Sequence, residues 1–179
     1  MTTGTHGKLV IRKSRPGDLA FIESLYPAAF PEEDLLPLVR AMMACDEEIL
    51  SLVGERDGLA AGHAVFTLGS IGGTERKIAL LGPVAVDPNL QRSGIGSAII
   101  REGLRLLKAL DVEQVFVLGD PAYYGRLGFL PGATVKAPYE LPQEWSQAWQ
   151  YMPLADKYIA GEGRLQLPDF WMRRELWGE

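Results

Sequence analysis

The stretch Val84-Ala85-Val86-Asp87-Pro88-Asn89-Leu90-Gln91-Arg92-Ser93-Gly94-Ile95-Gly96 decides how this chain is read. A β-branched apolar run ends at Val86, a proline-bearing connection follows, and a helical pattern opens with two glycines. The first-turn amides of a helix have no partner within the helix. They lie at the positive end of its dipole. Glycine at 94 and 96 lets a ligand approach that backbone closely. The expected product is an anion pocket made of main-chain N–H groups, with Arg92 as a fixed positive charge beside it. A Rossmann fingerprint is excluded because Ile99 stands where its third glycine belongs. A Walker loop is excluded because no Gly-Lys-Ser/Thr occurs.

Upstream, Lys77 to Val86 reads as a strand broken at Gly82-Pro83, since proline cannot donate a ladder hydrogen bond. Ile49 to Glu55 and Leu59 to Leu68 read as two strands joined at Asp57-Gly58. Leu9 to Arg12 is a first strand. Asp18 is a plausible N-cap for a helix over Leu19 to Leu25, followed by a loop over Pro27 to Glu33. Asp34 to Cys45 has helical spacing at Leu35, Leu38, Val39 and Met42. Downstream, Ile95 to Leu110 is an amphipathic helix, with Arg101, Glu102, Arg105 and Lys108 on its polar side. Val112 to Leu118 is a strand, and Pro121 to Leu127 a short helix closed by Gly128. The order β-α-α-β-β-β-α-β-α-β predicts a mixed α/β layered fold.

The chain has 179 residues, the size of one domain. Its net charge of -5 argues against general nucleic-acid binding, which needs a broad basic face, and favours cationic partners. No apolar run approaches the roughly 20 residues that span a bilayer. The N-terminus is polar, without the apolar core of a signal peptide, and the lone Cys45 fits a reducing compartment. Cytoplasm is the expected location. Two histidines and one cysteine offer no metal-ligand spacing, so no metal is expected.

Two motifs together resemble the GNAT superfamily of acyl-CoA-dependent N-acetyltransferases. The run Val86-x-Pro88-x-x-Gln91-Arg92-x-Gly94-x-Gly96 looks like its acetyl-CoA motif, following a disrupted strand. Leu118-Gly119-Asp120-Pro121-Ala122-Tyr123-Tyr124-Gly125-Arg126-Leu127-Gly128-Phe129 looks like the segment ending in Tyr-x-x-Leu-Gly-Phe. The resemblance covers Leu9 to about Pro131. It implies a mostly antiparallel sheet with a splayed central strand pair and helices on both faces. The expected division is one domain over 1–179, with a flexible tail over 1–8, a cofactor-binding core over 9–131 and an aromatic-rich extension over 132–179.

The same resemblance implies acetyl-CoA as cosubstrate and direct attack on its thioester by a primary amine, from a small molecule or a peptide. It assigns the pyrophosphate to the amides of Gln91, Arg92, Ser93, Gly94, Ile95 and Gly96. It assigns the pantetheine arm to the backbone of Val84, Ala85 and Val86, one of whose amides also serves the oxyanion. Tyr124 falls on the family's tyrosine and is the expected general acid, with Tyr123 as the alternative. Dimers are frequent among similar proteins, which leaves a homodimer open.

No general base is legible. The strand to Val86 lacks the glutamate that some members carry. Glu32 and Glu33, with Asp34, are candidates to hold a cationic acceptor, against the plainer reading of a solvated acidic loop. His63 reads as a structural strand histidine, and Cys45 lacks a signal for activation. Arg101, Arg105 and Lys108 read as a solvated face, with reach to the 3'-phosphate of the cosubstrate as the alternative. Trp145, Trp149, Phe170, Trp171 and Trp177 read as core, with pocket lining as the alternative. A module that senses acyl-CoA without turnover is the competing function. A domain for another nucleotide rests on the glycine turn alone.

Overall fold

The computed structural model describes residues 7–45, 48–157 and 160–178, so His6 and most of the expected tail lie outside the described residues. The elements are β1 (Leu9–Lys13), α1 (Leu19–Ala29), α2 (Leu36–Met43), β2 (Ile49–Arg56), β3 (Leu59–Ile71) and β4 (Lys77–Val86). They continue with α3 (Ile95–Ala109), β5 (Gln114–Leu118), α4 (Pro121–Arg126), β6 (Leu130–Pro131), β7 (Val135–Lys136), β8 (Trp149–Pro153) and β9 (Gly163–Gln166). The sheet runs β1-β2-β3-β4-β5-β8-β6, and β9 pairs with the end of β3 and with β7. The β4–β5 and β7–β9 pairs are parallel and the others antiparallel. This is the mixed α/β, mostly antiparallel architecture expected, with helices on both faces.

The layers follow from strand alternation. Ala79, Leu81, Val115 and Val117 turn toward α3, whose Ile95, Ile99, Ile100, Leu104 and Leu107 pack on them and on β2 and β3. Ile78, Leu80 and Phe116 face the other way, into a core shared with α2 and the C-terminal tryptophans. Leu110, counted from sequence on the apolar face of α3, falls just past the helix and is exposed.

A helix end, a strand end and a cap differ from the sequence reading. Helix α1 continues through Pro27 into the expected loop, since a proline in a last turn forfeits only one N–H bond. Strand β3 extends to Ile71 because β9 pairs with Ser70 and Ile71. Asp18 precedes α1 as expected but does not cap it with its side chain. Its carboxylate accepts instead from the Arg15 N–H at 2.6 Å and from both terminal nitrogens of Arg12 at 2.8 Å. That bidentate pair fastens β1 to the start of α1, and Arg12 also reaches Glu55 on β2.

His63 on β3 is fully buried beneath α1. Its Nδ1 lies 2.7 Å from the Tyr26 hydroxyl and its Nε2 2.7 Å from the Ser51 hydroxyl. Burial pushes the imidazole pKa down to about 4, against a weak opposing pull from Asp18. The unfolded chain therefore takes up a proton at a higher pH than the folded one. The contribution of neutral His63 is complete above pH 6.5 and is lost as pH falls toward 4, to a total of roughly 3 kcal/mol. Asp18, whose carboxyl is held down by Arg12, adds a further loss at lower pH. Unfolding free energy measured by denaturant titration should thus fall steadily between pH 6.5 and 4. His63→Gln should flatten that slope while lowering stability at neutral pH; an unchanged slope would remove His63 as its source.

Candidate active site

Strands β4 and β5 pair in register from Ile78–Gln114 to Leu81–Val117 and then part. The cause is local. Opposite Val65, β4 inserts Gly82 and Pro83 where β3 has one residue. Proline offers no N–H, and Gly82 has φ 146°, a value that side chains disfavour. The bulge also changes strand parity. Odd positions Ala79 and Leu81 face α3 before it, and even positions Val84 and Val86 after it.

Beyond the bulge β4 pairs only with β3. Asp87 N–H donates to the Ala61 carbonyl, which fixes the phase of that ladder. Hydrogen-bonded and non-hydrogen-bonded pairs alternate in an antiparallel ladder. Ala85 therefore turns its main chain to His63, while Val84 and Val86 turn theirs toward the gap left by β5. The Val86 carbonyl accepts from the Gln91 side-chain amide at 3.3 Å.

The connection to α3 is a 3-10 turn over Pro88–Leu90, closed by the Asp87 carboxylate accepting from Asn89 N–H at 2.9 Å. Arg92 has φ 61° and Gly94 φ 83°, so the chain reaches Ile95 through two left-handed residues. Ala98 N–H donates to the Gly94 carbonyl at 3.0 Å and is the first helix amide with a main-chain acceptor. The amides from Gln91 to Ser97 have none among the described residues. Gln91, Arg92, Ser93 and Gly94 are exposed, Ile95 is buried under the sheet and Gly96 is half-buried.

Helix α4 follows β5 and is capped by Asp120, whose carboxylate accepts from Ala122 N–H at 2.9 Å. Its two tyrosines part company. The Tyr123 hydroxyl lies over the first turn of α3, 2.9 Å from where a Cβ on Gly96 would stand. The Tyr124 ring lies against Gly119, with Tyr123 and Phe129 edge-on at 5.0 and 5.7 Å. Gly119 is held by the chain entering β8, through its N–H to the Ala148 carbonyl, and by β8 itself, through its carbonyl to the Gln150 side chain. Burial pushes the Tyr124 pKa up, reinforced by Tyr123 and Asp120, so the phenol stays protonated.

Tyr124 opens on a cavity of about 420 Å³ at the split between the strands. Its floor is the bulge, from Leu80 to Val84, with Leu118 of β5 beside it. Phe30, Glu33, Leu35 and Leu38 come from the α1–α2 region, and Trp145, Trp171, Glu175, Leu176 and Trp177 from the C-terminal segment. Glu33 thus shares the cavity with Tyr124. Glu32 lines a neighbouring depression of about 300 Å³, together with Glu33 and Asp34.

Sequence reasoning missed Glu175 and left the tryptophans ambiguous, because nothing local ties residues 145–177 to a site built from much earlier strands and helices. Trp149 belongs to the core, stacked on Phe116. His63 and Cys45 do not line the cavity. Arg105 pairs with Glu102, and Lys108 with Asp156. A groove of about 680 Å³ near Lys77 and Glu113 is highly charged, but its ion pairs Arg76–Glu113 and Lys108–Asp156 are internal. Among the described residues no three His, Cys, Asp or Glu side chains gather as metal ligands, and no helix is long and apolar enough to cross a membrane.

The fold is shared with known proteins. The model of the acetyltransferase (GNAT) family matches residues 19–129. The chain is 33% identical over 165 residues to YjhQ of Escherichia coli (strain K12), which is named an N-acetyltransferase, covering 88% of this chain and 89% of that one. The crystal structure of YhbS from Escherichia coli, a GNAT family N-acetyltransferase in complex with CoA, superposes with a TM-score of 0.82 at 29% identity, over 93% of both chains. A GNAT family acetyltransferase from Brucella melitensis in complex with acetyl-CoA gives 0.74 at 32% identity, over 92% of this chain and 99% of that one.

The close fit of Tyr124 on Gly119 makes a structural prediction. A methyl group at 119 would enter the space of the ring, so Gly119→Ala should displace it and lower unfolding free energy by about 1–3 kcal/mol. Thermal unfolding and the near-ultraviolet circular dichroism of the tyrosines would register both effects. A variant as stable as the parent would mean the ring does not rest there.

Proposed function

The chain belongs to the GNAT acetyltransferase family, and on that premise we propose that it carries an acetyl group from acetyl-CoA directly to a primary amine held in the cavity beside Tyr124. The observation that carries the reading is a convergence. Unclaimed amides at the start of α3, a main-chain edge at Val84 and Val86 that no second strand pairs, and the Tyr124 phenol all border the split between β4 and β5. The two solved relatives bound to CoA and acetyl-CoA support it. We read the whole chain as one catalytic unit working in the cytoplasm.

The fit to the cosubstrate is chemical. The amides of Gln91 to Gly96, with Arg92, suit a doubly charged pyrophosphate. The main-chain groups of Val84 and Val86 suit the amides of a pantetheine arm lying alongside as an added strand. Ala85, turned to β3, serves by fixing that edge in place.

Bound acetyl-CoA supplies a thioester carbonyl for attack and a thiol as leaving group. The cavity walls hold the amine against that carbonyl and remove the entropy cost of encounter. The Val84 N–H donates to the carbonyl oxygen as negative charge builds on it. As the carbon–nitrogen bond forms and the carbon–sulfur bond breaks, the nitrogen gives up one proton and the sulfur takes one.

Tyr124 donates its O–H to the departing sulfur. Because burial keeps the phenol protonated, that donor is present throughout the neutral range. The ammonium first yields one proton to water, with Glu33 as relay, so that the free amine attacks; the second proton, shed as the carbon–nitrogen bond forms, returns through water to the Tyr124 phenolate.

Two substitutions test separate parts of this reading. Tyr124→Phe should lower kcat by about 100-fold or more and leave the CoA dissociation constant within about twofold. Equal turnover would remove the phenol from the reaction. Gly96→Val should push on the Tyr123 hydroxyl and fill the first turn of α3, weakening CoA binding by calorimetry at least about tenfold. Unaltered affinity would mean the pyrophosphate binds elsewhere.

A further inference from the structure

The chemistry of the acceptor cavity is one-sided. Two carboxylates line it, Glu33 and Glu175, and no lysine or arginine does. The rest of the lining is almost wholly apolar. Trp171 and Trp177 are buried with both indole N–H groups already engaged. Trp171 donates to the Thr67 hydroxyl at 2.9 Å and Trp177 to the Trp171 carbonyl at 2.9 Å. They therefore meet an occupant only with ring carbon, and Trp145, at 36% exposure, adds a third indole that a ligand can cover.

Glu175 is held in place. Arg173 donates twice to its Oε1, at 2.9 and 2.6 Å. Its own backbone N–H, and then Arg173, hold its carboxyl below the ordinary range, so it is charged at neutral pH.

Such a lining selects. An ammonium group gains from the two carboxylates, and an aromatic or large aliphatic body gains from the indoles by area and by ring-edge contact. A carboxylate on the acceptor would be repelled by Glu33 and Glu175 and find no cation in the cavity to pair with. A flexible polyamine would satisfy the carboxylates but leave the tryptophans uncovered.

Resting on the acetyltransferase reading above, we propose that the acceptor is an arylalkylamine, a primary ammonium on a short chain ending in an aromatic body and carrying no carboxylate. Glu33 and Glu175 attract its ammonium, and Trp145, Trp171 and Trp177 enclose the ring. The C-terminal segment from Trp145 to Trp177 is then the specificity element of the enzyme, brought to a cofactor site built by the first 130 residues.

The experiment compares initial rates of thiol release from acetyl-CoA with four acceptors: tryptamine, 2-phenylethylamine, tryptophan and spermidine. CoA binding is measured in parallel by calorimetry. The two arylalkylamines should show kcat/KM at least about tenfold above both tryptophan, which adds a carboxylate to the same ring, and spermidine, which has charge without a ring. Trp145→Ala should raise KM for tryptamine about tenfold with kcat and CoA affinity little changed. Glu33→Gln with Glu175→Gln should raise KM for tryptamine and narrow its advantage over tryptophan.

If spermidine or tryptophan equals or surpasses the arylalkylamines while CoA binds, the acceptor assignment is wrong and the acetyltransferase reading stands. If CoA does not bind, both fall. If Trp145→Ala leaves every KM unchanged, the aromatic wall does not meet the acceptor and the proposal fails.

Discussion

The separation of β4 from β5 is the constraint on which the rest of the structure depends. Two parallel strands that stayed paired would satisfy each other's main chains and leave nothing for a ligand. Here four register pairs form and then stop, because Gly82 and Pro83 are inserted opposite Val65. The loss of pairing is confined to one edge. Strand β3 continues to hold β4 through Ala85 and Asp87, and β8 continues to hold β5 through Leu118. Both arms of the split thus stay tied into the sheet, and the main-chain groups of Val84 and Val86 are presented on a held edge.

Everything with chemical character gathers around that split because each piece begins where a strand ends. Helix α3 starts a few residues after β4 and presents its unpaired amides at the same end of the sheet. Helix α4 starts three residues after β5, with Asp120 capping it, and delivers Tyr124. Gln150 on β8 braces Gly119, so the phenol is positioned from two strands rather than by its short helix alone. On the opposite face of β3, His63 joins α1 to β2 through Tyr26 and Ser51. The α1–α2 region that contributes Phe30 and Glu33 to the cavity rests on that core.

The C-terminal segment closes the cavity by the same packing that completes the core. Trp171 and Trp177 contact one another at 5.6 Å between ring centres, and Trp177 meets Trp149, which stacks on Phe116 of β5. Their hydrogen bonds to Thr67 and to the Trp171 carbonyl run within the protein, which turns a tryptophan into a purely apolar wall. Core and pocket are alternatives only for a side chain with one face; these rings have two.

The sequence alone determined what local chemistry controls. Glycine and proline spacing marked the bulge at Gly82-Pro83, the hairpin at Asp57-Gly58, the entry to α3 and the end of α4. A period near 3.6 marked α3, and the two motifs marked the family. These signals lie within a dozen residues of the features they specify. What the tertiary structure decided depends on registers and packing between distant segments. The ladder phase turned Val84 and Val86, rather than Ala85, toward the split. Pairing with β9 lengthened β3, and burial by α1 made His63 a structural neutral base. Packing also placed Glu33 and not Glu32 in the cavity that Tyr124 lines, and brought Glu175 and three tryptophans to it. No local pattern encodes such meetings, because they arise from which apolar faces cover one another once the whole sheet has formed.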